Sequence, residues 1–116
     1  MTDISLITTH VLDIAAGRPA AGLAVELERM EADGTWAKVA DGATNEDGRL
    51  SEWAVPRPVA STRYRLTFAV GDYFKQRSIA TFYPEVVVEF QTTAPTERYH
   101  VPLLLSPFGY STYRGS

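Results

Sequence analysis

The sequence lacks cysteine altogether, has only two histidines, and carries no run of basic residues and no long apolar segment. Without cysteine there are no disulfides, thiolate nucleophiles, iron–sulfur clusters or thiolate zinc sites, and the redox compartment is left open. Any chemistry built on imidazole must use His10, His100 or both. Eleven Lys and Arg against fourteen Asp and Glu give a net charge of −3, and with no clustered basic residues the chain is not expected to bind nucleic acid. The stretch from Met1 to His10 has no positive segment ahead of an apolar one, and nothing approaches the roughly 18 apolar residues of a membrane helix. The expectation is a soluble, cytoplasmic protein with no membrane partner.

What is present is alternation. At 116 residues and 45% hydrophobic, one domain over residues 1–116 is expected, able to bury roughly two-thirds of its unfolded surface. Apolar residues recur with period two and hardly at period 3.6, so strands dominate. Thr62 to Val70 puts Tyr64, Leu66, Phe68 and Val70 on one face. Leu23, Val25 and Leu27 alternate with Ala24, Glu26 and Glu28, and a solvated strand face explains these two glutamates better than a catalytic pair does. Turn residues punctuate the strands at Gly17-Arg-Pro19, Asp33-Gly34, Asp41-Gly42, Asp47-Gly48, Pro56-Arg-Pro58, Gly71-Asp72, Ala94-Pro95 and Pro107-Phe-Gly109. Asp-Gly between alternating segments signals hairpins, because primed turns need positive φ. About eight strands with such turns indicate an antiparallel sandwich. The one predicted helix runs from Asp72 to Ser78, with Asp72 as its cap. Ile4 to Asp13 and Arg98 to Ser106 read as strands with no wet face, and a second apolar face on an antiparallel strand predicts a subunit interface.

Chemistry is harder to read. There is no Gly-rich phosphate loop, His-Glu-x-x-His or Gly-x-Ser-x-Gly. His10 and His100 lie far apart in sequence, with no grouped carboxylates, so no metal site is expected. Each histidine taken alone is more often structural than catalytic, Arg49 after Asp47-Gly48 reads as a solvated hairpin residue, and the tail Tyr113 to Ser116 reads as a frayed terminus. Composition and spacing stop at an oligomeric β-sandwich.

Three blocks go further. Thr9-His-Val-Leu-Asp13 is followed by Gly17-Arg-Pro-Ala-Ala-Gly-Leu-Ala-Val-Glu-Leu27; Thr44-Asn-Glu-Asp-Gly-Arg49 comes second; Arg98-Tyr-His-Val-Pro-Leu-Leu-Leu-Ser-Pro-Phe-Gly-Tyr-Ser-Thr leads into Tyr-Arg-Gly-Ser116, with Phe82-Tyr-Pro84 upstream. In these blocks the chain resembles the 5-hydroxyisourate hydrolases of the transthyretin-like family. The terminal Tyr-Arg-Gly-Ser distinguishes that family from the transthyretins, and the only departure is Phe82-Tyr-Pro84 where the family usually reads Phe-Phe-Pro, away from the site.

The resemblance implies an all-β, eight-stranded transthyretin-like sandwich with one short helix, assembled as a homotetramer around a channel with active sites at subunit interfaces. His10 would lie on the first strand, Arg49 on the fourth and His100 on the seventh. The implied reaction, which needs no cofactor, opens 5-hydroxyisourate at the N1–C6 amide to give 2-oxo-4-hydroxy-4-carboxy-5-ureidoimidazoline. His10 and His100 would divide water activation and proton delivery, since imidazole exchanges protons near neutral pH. Arg49 would present its fork of donors to the substrate's carbonyl oxygens and stabilise the oxyanion. Tyr113 would bind the ring, and Ser116, through its hydroxyl or a terminal carboxylate, would orient an imidazole. The alternatives are a transthyretin-like carrier that binds an aromatic ligand without turnover and a structural adhesion-type sandwich.

Overall fold

The structure is a computed structural model that describes residues 5–116. In chain order its elements are β1 (Ile7–Asp13), β2 (Arg18–Pro19), β3 (Ala24–Met30), β4 (Trp36–Ala43), β5 (Arg49–Leu50), β6 (Arg63–Phe68), α1 (Val70–Lys75), β7 (Val86–Gln91), β8 (Tyr99–Ser106) and β9 (Gly109–Thr112). One sheet has the order β2-β1-β8-β9, with β5 also paired to β1, and the other has the order β4-β3-β6-β7. The core lies between them. Ile7, Val11, Leu103 and Leu105 face inward from the first sheet and Val25, Leu27, Tyr64, Leu66 and Phe68 from the second, all buried. Each such side chain stabilises the fold by about 1.5–3 kcal/mol relative to its exposed state. The sandwich and its single short helix are as expected. The strands number nine among the described residues because β2 is a pair of residues that the count of eight passes over. His10 is therefore on β1, Arg49 on β5 and His100 on β8.

Four local readings need correction. The sandwich is not wholly antiparallel: β1 and β8 run parallel, pairing Ile7 with Tyr99 through Asp13 with Leu105. A parallel pair needs a long crossover, and here the crossover carries the whole four-stranded sheet. Asp41-Gly42 makes no hairpin, since both residues lie inside β4. A Cβ on Gly42 would sit 3.0 Å from Leu50 Cδ1, so this glycine gives room to the core rather than a turn. The helix starts and ends earlier than Asp72 to Ser78. Val70 is buried as its first residue, Ala69 takes the cap position without a side-chain bond, and Ser78 leaves the helix with a φ of 58°. Gly71 is helical, not a turn, and its missing Cβ lets Pro84 approach, with Gly71 N–H donating to Pro84 O at 3.0 Å. Finally, β1 begins at Ile7 and β8 at Tyr99; Ile4 lies outside the described residues.

The helix ties the two sheets together. Buried Tyr73 donates from its hydroxyl to Oδ2 of buried Asp13, at the end of β1, at 2.9 Å. The Arg77 guanidinium lies over the Tyr73 ring, 3.7 Å from its centroid.

Candidate active site

On β1 the odd-numbered residues Ile7, Thr9, Val11 and Asp13 are buried, and the even-numbered Thr8, His10 and Leu12 look outward, half-buried. On β8 the core face is Tyr99, Val101, Leu103 and Leu105, so His100, Pro102 and Leu104 share the outer face. Register then brings distant residues side by side. His10 is paired with Arg49 of β5 on one flank and with Pro102 on the other, and Thr8 is paired with His100.

Arg49 is held in place by the segment that precedes it. The Thr44 hydroxyl, buried, accepts from Leu23 N–H at 2.9 Å and donates to Ala20 O at 2.6 Å. Asn45 Oδ1 accepts the backbone N–H of Asp47 at 2.9 Å and of Arg49 at 3.0 Å, closing the turn. Gly48 has a φ of 75°, and a Cβ there would come within 2.4 Å of Val11 O. Only glycine lets this turn lie on β1, where Val11 N–H donates to Gly48 O at 2.8 Å. The same turn fixes His10: its Nε2 lies 2.9 Å from Asp47 O. A carbonyl only accepts, so Nε2 carries the proton and Nδ1 is the free, basic nitrogen of the neutral ring.

The tail is not frayed. Gly115 forms a bridge with His100 at the position that the β8–β9 register assigns to it, Gly115 N–H donating to His100 O at 2.9 Å. A Cβ on Gly115 would stand 2.5 Å from His100 Cδ2 and 3.1 Å from Pro102 Cγ. The glycine of the terminal motif therefore packs backbone directly on the imidazole.

A cavity of about 320 Å³ opens on this face, and Arg49, His100 and Ser116 line it together with Thr8, Arg98 and Gly115. His10 is beside Arg49 but does not line the cavity, its ring being turned to Asp47. Tyr113 lies elsewhere: it is 59% exposed and borders a separate cavity of about 230 Å³ with Phe90, Tyr99 and His100, so His100 stands between the two. The adjoining Arg114 is tied to Glu97 at 3.0 Å. Burial, then the Arg49 cation, then His10 hold the His100 pKa below the ordinary imidazole value, so its neutral form prevails at pH 7. Arg49 has no ion-pair partner among the described residues. Its guanidinium, two imidazoles and hydroxyls suit hydrolysis of a planar, carbonyl-rich ring. Among the described residues no three His, Cys, Asp or Glu cluster to hold a metal ion.

Sequence reasoning missed Thr8 and Arg98. Thr8 Oγ1 is 2.8 Å from His100 Nδ1, a contact whose only sequence signal would have been the β1–β8 register. Arg98 lies two residues before His100 but carried no distinguishing pattern.

The chain matches the model of the HIUase/Transthyretin family over residues 7–115. It is 46% identical over 116 residues to the 5-hydroxyisourate hydrolase of Mus musculus, which covers 99% of this chain and 98% of that protein. The solved structure of Klebsiella pneumoniae 5-hydroxyisourate hydrolase is similar with a TM-score of 0.82 at 33% identity, covering 95% of this chain and 97% of that one. Transthyretin from Sparus aurata is similar with a TM-score of 0.88 at 27% identity, covering 94% and 95%. One backbone thus serves proteins of both names, and the site's side chains must carry the distinction.

Proposed function

We infer the reaction from membership and from the site: this chain belongs to the HIUase/Transthyretin family, and it hydrolyses 5-hydroxyisourate, in the degradation of urate. Water adds to C6 of the substrate, the C6–N1 bond breaks, the proton from water passes to N1, and 2-oxo-4-hydroxy-4-carboxy-5-ureidoimidazoline results. The observation that carries the reading of the site is the shared cavity, in which an Arg49 without a counter-anion among the described residues meets a neutral His100.

In this reading Arg49 binds the substrate's carbonyl oxygens and stabilises negative charge on C6–O as the tetrahedral intermediate forms. Donors aimed at an oxyanion contribute about 3 kcal/mol to lowering such a barrier. His10 and His100 divide proton removal from water and proton delivery to N1. His10 has only Nδ1 free for this, because Nε2–H is held by Asp47 O; on His100 the nitrogen away from Thr8 is Nε2. The Ser116 hydroxyl orients an imidazole, and Tyr113 binds the ring from the far side of His100, its exposure leaving it free to turn. A carrier that never turns its ligand over would have no use for two imidazoles and, on the same face, a cation unpaired among the described residues.

We also read residues 1–116 as one hydrolase domain, cytoplasmic and free of cofactors, that assembles as a homotetramer with its sites at the interfaces. Leu12, Pro102 and Leu104 line the outer face around the histidines, and Phe108 and Tyr110 are exposed at the adjoining hairpin. Apolar groups so placed favour a covered face. No helix among the described residues is long and apolar enough to cross a membrane. Light scattering tests the assembly, and a monomer near 12.8 kDa contradicts it. For the reaction, 5-hydroxyisourate made freshly with urate oxidase should lose its near-ultraviolet absorbance much faster with the protein present. Decay at the spontaneous rate overturns the hydrolase reading.

A further inference from the structure

We propose that Thr8 is a positioning residue for His100: its hydroxyl, carried across the parallel β1–β8 pair, holds the imidazole at Nδ1 and keeps Nε2 as the nitrogen that exchanges protons in the cavity. The inference rests on the hydrolase reading and deepens it.

Thr8 and His100 are direct partners in the register, with Thr8 Oγ1 2.8 Å from His100 Nδ1, and both line the cavity that Arg49 and Ser116 border. The neighbouring threonine is a useful contrast. Thr9 is buried and its hydroxyl donates to Val101 O at 2.6 Å, satisfying the backbone of the next strand. Thr8 looks outward, and among the described residues its hydroxyl bonds the imidazole alone. The far edge of the ring is closed by the Gly115 backbone, which leaves no room for a side chain at Cδ2. The ring is thus gripped at Nδ1 and at Cδ2.

A hydroxyl is both donor and acceptor. It donates to Nδ1 when Nε2 bears the proton, and it turns to accept from Nδ1–H when Nε2 is bare or when the ring is an imidazolium. His100 can therefore take or release a proton at Nε2 without moving, and Thr8 need only rotate. A carboxylate at Thr8 would instead pin one tautomer and favour the cation. The charged and titratable groups around the ring are His10 on β1, Arg49 on β5, Arg98 before β8, Tyr99 on β8 with its hydroxyl tied to the Ala94 backbone, Tyr113 and Arg114 on the tail, and Glu89 on β7. Glu89 is occupied by Arg63 at 3.6 Å and Arg114 by Glu97 at 3.0 Å. No carboxylate among the described residues accepts from His100, so the hydroxyl is the group that orients it.

The test compares Thr8→Val, which keeps the branched shape, with Thr8→Ser, which keeps the hydroxyl. Thr8→Val should lower kcat about ten- to hundredfold while KM stays within about threefold, and should move the acid limb of the pH–rate profile downward, because the imidazolium loses its acceptor. Thr8→Ser should stay within about threefold of the parent. Nitrogen chemical shifts of the His100 ring, read by long-range proton–nitrogen correlation, should change in Thr8→Val and not in Thr8→Ser, with those of His10 unaltered. If the parent protein itself leaves 5-hydroxyisourate at its spontaneous rate, the hydrolase reading fails and the ring shifts decide the positioning role alone. Parent-like kcat, acid limb and ring shifts in Thr8→Val overturn the proposal, and so does a Thr8→Ser as slow as Thr8→Val. Should Thr8→Val not fold, Thr8→Ala is read in its place against the same limits.

Discussion

On the outer face of the four-stranded sheet, Arg65 of β6 meets Glu28 of β3 at 2.7 Å and lies over the Trp36 ring, Arg63 meets Glu89, and Lys38 meets Asp41. On the outer face of the five-stranded sheet the polar groups are Thr8, His10, Arg49 and His100, set among Leu12, Pro102 and Leu104, and Arg49 has no counter-anion among the described residues. Both faces are built from alternate residues of strands that share one core. Charges neutralised by close neighbours make a face that is content in water. A cation with no anion beside it among the described residues, set next to two imidazoles, makes a face whose interactions are completed by something else, a substrate or another subunit. The difference lies in pairing rather than in the amount of polarity.

The largest effects should follow from substitutions on the second face. His10→Asn, His100→Asn and Arg49→Ala are each expected to lower turnover of 5-hydroxyisourate by about a hundredfold or more with the assembly intact by light scattering. Glu28→Gln and Arg65→Gln on the first face should leave turnover within about twofold of the parent. Full activity in all three site variants, or a site-sized loss on the charged face, breaks the contrast between the sheets.

Next is Gly115→Ala. Its Cβ would meet His100 Cδ2 at 2.5 Å, so either the tail lifts off β8 or the ring is displaced, and misplacement of this size should cost about tenfold or more in turnover. Parent-like rates would show that the tail's packing on the imidazole is dispensable. Tyr73→Phe should act on the opposite property. It leaves the carboxylate of buried Asp13 without the hydroxyl it accepts from, and thermal or denaturant unfolding should show a loss of about 1–3 kcal/mol with kcat unchanged.

Much of this was legible in the sequence, for identifiable reasons. Alternation located the inward faces of β3 and β6 because each buries one side, and Asp47-Gly48 marked a real turn because φ at Gly48 is positive. Asp41-Gly42 has the same letters but serves packing against Leu50 and Trp53, a need that only the folded core creates. The parallel β1–β8 pair was not legible, since it joins residues at the two ends of the chain with nothing local to mark their relative direction. For the same reason Thr8 passed as an ordinary strand threonine. The motif blocks supplied His10, Arg49, His100, Tyr113 and Ser116, yet only the register shows Arg49, His100 and Ser116 around one cavity and Tyr113 beside another.

The smallest expected effect is on His100 itself, and it separates the two causes of its low pKa. Burial is the larger cause and the Arg49 cation the next. Replacing Arg49 with Met should therefore raise the His100 midpoint, read from the ring proton shift against pH, but leave it below the ordinary value of 6.5. A midpoint that does not move would mean that the guanidinium does not act on the ring, and the shared site would lose its electrostatic basis. The sign for stability follows from the same shift. Between the folded midpoint and 6.5 the unfolded chain holds more protons at this residue than the folded one, so the contribution of His100 is present above that window and is lost as pH falls through it. In Arg49→Met the window narrows from its acid side, and the acid-side fall in stability due to this residue should begin at the same pH and be shallower. Neither change has a counterpart on the charged sheet, where each cation already has an anion beside it.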